Sequence, residues 1–159
     1  ALEAQLKEKE YLQQYQEELQ KLAQEISFIE LWAYLEKNLT ELDLPFKAGA
    51  KTQEVLMQIL QTHTVAQGYR LIWKNCRKAQ EFYKKKNVTK QHAANSVITH
   101  LQREYEEALS KDEKLRSFKR DYKLPQSSLS QVVFDFILKT ADGGFNSVVS
   151  ELIAKALKK

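Results

Sequence analysis

The stretch that decides the fold is LQQYQEELQKLAQEISFIELWAYL, residues 12–35. Apolar side chains recur there at alternating intervals of three and four residues, which is the spacing of an a/d seam on an α-helix. Glutamine, glutamate and lysine fill most of the positions between them, and all three are good helix formers. The pattern predicts one long helix over residues 1–38 with a coiled-coil-like face. The seam consists of Leu12, Tyr15, Leu19, Leu22, Ile26, Ile29 and Ala33.

A second apolar stripe begins inside this helix at Phe28 and continues through Trp32, Leu35 and Leu39. A helix that is apolar on two sides is buried on two sides. We therefore expect the helix to begin as an arm and to end inside a globular core.

Residues that break helices are rare in the rest of the chain. The 159 residues include four glycines and two prolines, whereas sheets with tight hairpins need many turn residues. Residues 39–50, with Pro45 and Gly49, are the predicted linker, and residues 51–159 are the predicted helical domain. The expected fold class is all-α: a long coiled-coil-like N-terminal helix that leads into a small bundle of five or six further helices.

The first helices of this domain are placed by their apolar faces and by their caps. A second helix is predicted around residues 55–63, with Gly68 interrupting or ending it, and a third over residues 69–83. Asn87 is the predicted stop of the third helix, and Thr89 the predicted N-cap of the fourth.

Shorter elements are predicted after the fourth helix. Residues 110–113 and residues 128–131 both have the spacing of a capping box, so each segment predicts a helix start. The first of these helices would turn Leu115 and Phe118 inward.

The region after residue 131 is rich in β-branched and aromatic residues, which leaves a helix and a strand as alternatives. The pair Gly143-Gly144 predicts a helix stop. Asn146 is then the predicted cap of a last helix that ends near Leu157, with Lys158 and Lys159 at its C-terminus.

The sequence contains no motif that would bring catalytic or metal-binding side chains together. Cys76 lies on the apolar side of its predicted helix, where a buried thiol is inert. His63 is expected on a core face or at a helix end, and His100 with Glu104 makes at most half a metal site. A glycine-rich phosphate loop is absent. We expect a protein that is not an enzyme, with no catalytic residue, no metal site and no cofactor.

Positive charge is concentrated in one segment. The net charge is +4, yet residues 67–91 carry eight basic residues and one acidic residue, a net charge of +7. If residues 69–86 form one helix, six basic side chains share a face of it. This basic face consists of Arg70, Lys74, Arg77, Lys78, Lys84 and Lys85.

Two interpretations of the basic face are open. It is either an ordinary solvated face that balances the acidic residues 1–66, or a contact for an acidic protein surface, a nucleic-acid backbone or an anionic membrane. We expect Trp73, Phe82 and Tyr83 in the core or at its flank. That expectation argues against nucleic acid, because exposed aromatic rings are what bases stack on.

The function expected from these features is that of a non-enzymatic protein–protein interaction or adaptor module. Its predicted seam for a partner helix is Leu12, Tyr15, Leu19, Leu22 and Ile26, and its predicted face for an acidic partner surface is the basic face. The seam also allows weak homo-oligomerisation, since three heptads alone are marginal. The alternative is a helical nucleic-acid-binding domain that contacts phosphates through the basic residues 70–90.

The expected cellular compartment depends on features that are absent from the sequence. A single cysteine, no apolar run of membrane-spanning length and no secretory signal lead us to expect a cytoplasmic (intracellular) protein without a transmembrane segment. The chain begins at Ala1 within a predicted helix, so we expect a fragment of a larger protein.

Overall fold

The computed structural model describes residues 1–47 and 49–157 of the chain. This part of the chain contains six α-helices, one π-helix and no strand, so the predicted all-α class is confirmed, as is the long N-terminal helix followed by shorter ones. Ala48 of the predicted linker, the side chain of Leu157 and both terminal lysines lie outside the described residues. The helices are α1 (Leu2–Glu41), α2 (Ala50–Thr62), α3 (Val65–Lys86), α4 (Lys90–Ser110), α5 (Ser128–Ser130), the π-helix (Gln131–Ile137) and α6 (Val149–Leu157).

Helix α1 runs through three regions of the molecule. Every residue from Ala1 to Tyr15 is exposed, and we call this segment the arm. Ala23 and Ile26 are buried in a small core with the C-terminal helices, and from Leu31 onward the helix lies in the main core. The helix therefore enters the body of the protein near its middle.

The main core is formed by α1, α2, α3 and α4. Each fully buried aliphatic side chain there stabilises the fold by about 1.5–3 kcal/mol relative to an exposed one. The rings of Tyr34 in α1 and Tyr69 in α3 stack with centroids 3.8 Å apart. The largest aliphatic side chains buried in this core are Leu31, Leu35, Leu56, Ile59, Leu60, Leu71, Ile72 and Leu101.

The break between α2 and α3 falls at His63 and Thr64, so the prediction that Gly68 interrupts or ends the second helix is wrong. The Thr64 hydroxyl accepts a hydrogen bond from the Gln67 backbone N–H (3.1 Å), and the Gln67 side chain accepts one from the Thr64 N–H (2.9 Å). This capping box starts α3. Gly68 lies inside α3, where it faces Leu31 of α1. A Cβ at this position would be 2.7 Å from Leu31 Cδ2, so the glycine lets α1 approach α3 closely.

The predicted junction between α3 and α4 is confirmed. Asn87 ends α3 in the left-handed conformation, with φ 51°. The Thr89 hydroxyl accepts a hydrogen bond from the His92 backbone N–H (3.1 Å) and so caps α4.

Residues 111–127, which we call the strap, contain no helix, so the short helix predicted from Ser110 is wrong. The strap finds its hydrogen-bond partners on α3: the Phe118 N–H donates to the Ala66 carbonyl (3.0 Å), and the Gln67 amide donates to the Leu115 carbonyl (3.1 Å). Leu115 and Phe118 still pack against the main core. The inward-facing pattern was read correctly, but it belongs to an extended segment.

The segment after the strap is helical, not a strand. Ser127, one residue before the predicted cap, accepts a hydrogen bond from the Ser130 N–H (3.1 Å) and starts α5, which continues directly into the π-helix. Val133 and Phe134 on the π-helix pack against Ala23 of α1.

The two adjacent glycines do not end a helix. The π-helix ends earlier, at Ile137, and Gly143 and Gly144 form a turn, each with φ 68°. A Cβ on Gly144 would overlap the Phe134 ring, which is why this turn needs glycine. Asn146 donates to Asp142 (3.0 Å) and α6 begins at Val149, so the prediction that Asn146 caps the last helix is also wrong.

We predict that Gly68→Ala destabilises the protein by about 1–3 kcal/mol, because the added methyl group forces the fully buried Leu31 to move. Urea unfolding followed by circular dichroism measures the free energy of unfolding. Gly49→Ala is the matched control, since no atom lies within 4 Å of its added Cβ, and it should change the free energy by less than about 0.5 kcal/mol. Equal effects of the two substitutions would contradict the close packing of α1 on α3.

Candidate functional site

The predicted seam divides into two parts in the structure. Leu12 and Tyr15 lie on the arm and are 49% and 48% exposed. Leu19 and Leu22 are half-buried, and Ile26 is buried. The last three pack on the small core formed with the π-helix and α6. The chain therefore covers its own seam from Leu19 to Ile26 and leaves Leu12 and Tyr15 exposed, as well as Ile29 further along, which is 62% exposed.

Further apolar side chains are exposed along the arm. Leu2, Leu6 and Tyr11 are 74%, 54% and 71% exposed. With Leu12 and Tyr15 they make five large apolar side chains within fifteen residues of solvated helix. At about 100° per residue, Tyr11, Leu12 and Tyr15 share one side of the helix, whereas Leu2 and Leu6 lie on another. Single exposed apolar residues are common on proteins, and a group on one side is more typical of a contact surface.

The six residues of the basic face all lie on α3, as the helical spacing predicts. One of them, Lys74, is tied to α4: its Nζ donates to Glu104 Oε1 (2.5 Å), and the Asn75 amide donates to Glu104 Oε2 (3.1 Å). Within residues 1–47 and 49–157, no ion pair involves the other five cations.

The same network sets the protonation of Glu104. Burial raises the pKa of this carboxyl, but the hydrogen bonds from Lys74 and Asn75 and the charge of Lys78 outweigh that effect, so its pKa lies below the ordinary value. Glu104 is therefore charged at neutral pH and neutralises Lys74 locally.

An aromatic ring, that of Trp73, borders the basic face at the flank of the core. Trp73 is 40% exposed and Tyr83 is 36% exposed. The Arg77 guanidinium lies 5.3 Å from the Trp73 ring centroid, and the Phe118 ring meets Trp73 at 5.6 Å. The sequence pattern missed this exposure because Trp73 sits at the edge of the apolar side of α3, and Phe118 reaches it from the strap.

The strap brings more positive charge to the start of α3. Its backbone bonds to Ala66 and Gln67 hold residues 115–118 against the first turn of α3. Arg116 and Lys119 on the strap are exposed. Sequence reasoning assigned these residues to a helix of their own and so did not connect them with the basic face.

The cysteine and the histidines are the side chains considered for catalysis or metal binding. Cys76 is fully buried, and burial raises the pKa of its thiol to about 12. His63 is buried against Tyr105, with ring centroids 5.4 Å apart, and burial lowers the pKa of its imidazole. Among the described residues no group of three or more histidine, cysteine, aspartate or glutamate side chains is placed to hold a metal ion.

A small cavity of about 230 Å³ lies between α1 and the strap. Its walls are mostly apolar, with Ile29 and Leu129 at the rim, and the Glu30–Arg120 ion pair (3.2 Å) lies at its polar side. Arg120 also stacks over Phe145, with 4.6 Å between the guanidinium carbon and the ring centroid. Burial raises the pKa of Glu30 in spite of Arg120. The ion pair ties the strap to α1.

Comparison of the chain with protein-family models, with curated proteins and with solved structures found no match. None of the described helices combines the length and the apolar character needed to cross a lipid bilayer.

We predict that Glu104→Gln lowers the free energy of unfolding at pH 7 by about 1–2 kcal/mol, because Lys74 and Asn75 lose a charged acceptor. The folded-state pKa of Glu104 is below its unfolded value, so this stabilisation is present above the unfolded pKa, about 4.3, and is lost as the pH falls through the folded value. Urea unfolding at pH 7 and at about pH 3 measures both effects.

Glu107→Gln is the control for this substitution, because Glu107 is an exposed carboxylate on the same helix. It should leave the free energy of unfolding within about 0.5 kcal/mol of the unmodified protein. A Glu104→Gln effect that stays the same at both pH values would show that the lost charge is not the cause.

Proposed function

We propose that this chain is a non-enzymatic protein–protein interaction module whose arm pairs with a helix of another polypeptide. The observation that supports the proposal is the exposure of Leu12 and Tyr15 on the same seam that the chain covers from Leu19 to Ile26. An apolar seam on an amphipathic helix is stabilised by burial against a second helix, and each large apolar side chain so buried contributes about 1.5–3 kcal/mol.

The size of the arm fits a short coiled coil. Fifteen exposed residues of helix extend about 22 Å, but the seam positions one heptad before Leu12 and Tyr15 are Gln5 and Glu8, so the arm offers one heptad of apolar seam. Isolated helices of this length are marginal in water, so a pairing of two arms is expected to be weak and reversible.

A second copy of the chain is the partner that we propose for the arm. A twofold pair places the same surface on both subunits, so one contact would bury Leu12 and Tyr15 of each subunit together.

We predict that the protein forms dimers with a dissociation constant on the order of 100 µM, and that Leu12→Glu/Tyr15→Glu abolishes them. Sedimentation equilibrium over a concentration series measures the mass. Because both side chains are about half exposed in the monomer, the double variant should keep the free energy of unfolding within about 1 kcal/mol. Leu19 would be a poor choice for this test, since it packs on the small core.

Gln13→Glu/Gln14→Glu is the matched control. It makes the same change in charge at two exposed positions of the arm that lie off the seam, and it should dimerise like the unmodified protein. A mass that stays monomeric for the unmodified chain, or a seam variant that dimerises as strongly as the control, would contradict the proposal.

A further inference from the structure

Among the described residues, Lys74 is the one cation of the basic face that forms an ion pair, and Lys78 lies near enough to Glu104 for its charge to lower the pKa of that carboxyl. Elsewhere Lys37 pairs with Asp121, Arg120 with Glu30, and Lys90 with Asp43, whereas other exposed lysines such as Lys7 and Lys51 have no ion pair among the described residues. In the described residues no ion pair joins the arm to α3. The interpretation that the basic face balances the acidic N-terminal region of its own chain is therefore not supported by contacts.

The cations of the basic face that lack an ion pair share one side of α3 with the exposed Glu81. From Arg70 to Lys85 the helix rises about 22 Å, and Arg77, Lys78 and Lys84 lie between them on the same face. Phosphates follow each other every 3.4 Å along the axis of a duplex strand, so this length accommodates several phosphates in a row. Arg116 and Lys119 on the strap lengthen the positive surface beyond the start of α3.

Trp73 adds an exposed aromatic ring to this positively charged surface. Its ring is 40% exposed beside the cations, and the Arg77 guanidinium lies 5.3 Å from the ring centroid. Unstacked bases bind proteins by stacking on aromatic rings and on guanidinium planes. Protein interfaces also bury tryptophan, so the test must compare a single strand with an acidic polypeptide.

We infer that the basic face, with Trp73 and the strap cations, binds single-stranded nucleic acid through its phosphates and through stacking of a base on Trp73. This activity goes beyond the pairing of the arm and rests on different residues. A duplex would offer phosphates alone, since its bases are already stacked.

Tryptophan fluorescence gives a direct readout. The chain has two tryptophans, and Trp32 packs between Phe28 and Phe46 at 5.5 Å and 5.3 Å. In a Trp32→Phe background Trp73 is the only tryptophan, and circular dichroism checks that this background is folded. Titration with oligothymidylate of about 12 nucleotides should quench the Trp73 emission, whereas polyglutamate of matched charge should not.

The salt dependence tests the phosphate contacts. With five free cations engaged, the affinity for the single strand should fall about 100-fold between 50 and 200 mM salt. Arg77→Gln/Lys78→Gln should weaken binding at least about 10-fold at the lower salt concentration and flatten the dependence. Lys7→Gln/Lys9→Gln removes the same charge from the exposed arm and should leave the affinity nearly unchanged.

Replacement of the ring separates stacking from charge. In the protein with Trp32 intact, Trp73→Leu keeps an apolar contact for Phe118 and should reduce oligothymidylate affinity about 10-fold, measured by the anisotropy of a labelled oligomer. Three results would each overturn the inference: no binding of oligothymidylate at 50 mM salt, equal affinity for polyglutamate without quenching of Trp73, or equal losses in the basic-face and arm variants. The second result would assign the face to an acidic protein surface.

Discussion

The close contact of α1 with α3 is the constraint on which the rest of the structure depends. Gly68 leaves room for Leu31, and Tyr69, the next residue of α3, stacks on Tyr34, about one turn after Leu31 on α1. This contact fixes the second half of α1 in the main core and sets the direction in which its first half leaves the body. It also orients α3, so the packed side of α3 faces α1 and α4 and its basic face remains in solvent.

The parts of the fold that local spacing determines could be predicted from the sequence. The double stripe of α1 predicted both the solvated start of the helix and its buried end, because each stripe is a property of one helix alone. The caps at Asn87 and Thr89 were equally readable, since a cap acts over three residues. The break before α3 was missed because Gly68 was read by its propensity, whereas its place is set by Leu31 of another helix.

The strap could not be predicted because its backbone partners lie about fifty residues away along the chain, on Ala66 and Gln67. The same distance in sequence hid the border of the basic face, where Phe118 and Arg77 hold Trp73 half in solvent. The cationic side of α3 itself followed from helical geometry. Helical geometry could not predict which of these cations form an ion pair, since the pairing of Lys74 depends on where α4 places Glu104.

The account holds that one helix serves both as a part of the core and as an arm that reaches other molecules. Amide hydrogen exchange at a low and a high protein concentration tests this division most directly. The account predicts slow exchange from Leu31 to Leu39 at both concentrations, and exchange in residues 2–15 that is fast in the dilute sample and slower in the concentrated one. Slow exchange of residues 2–15 in the dilute sample, or equally fast exchange at both concentrations, would contradict it.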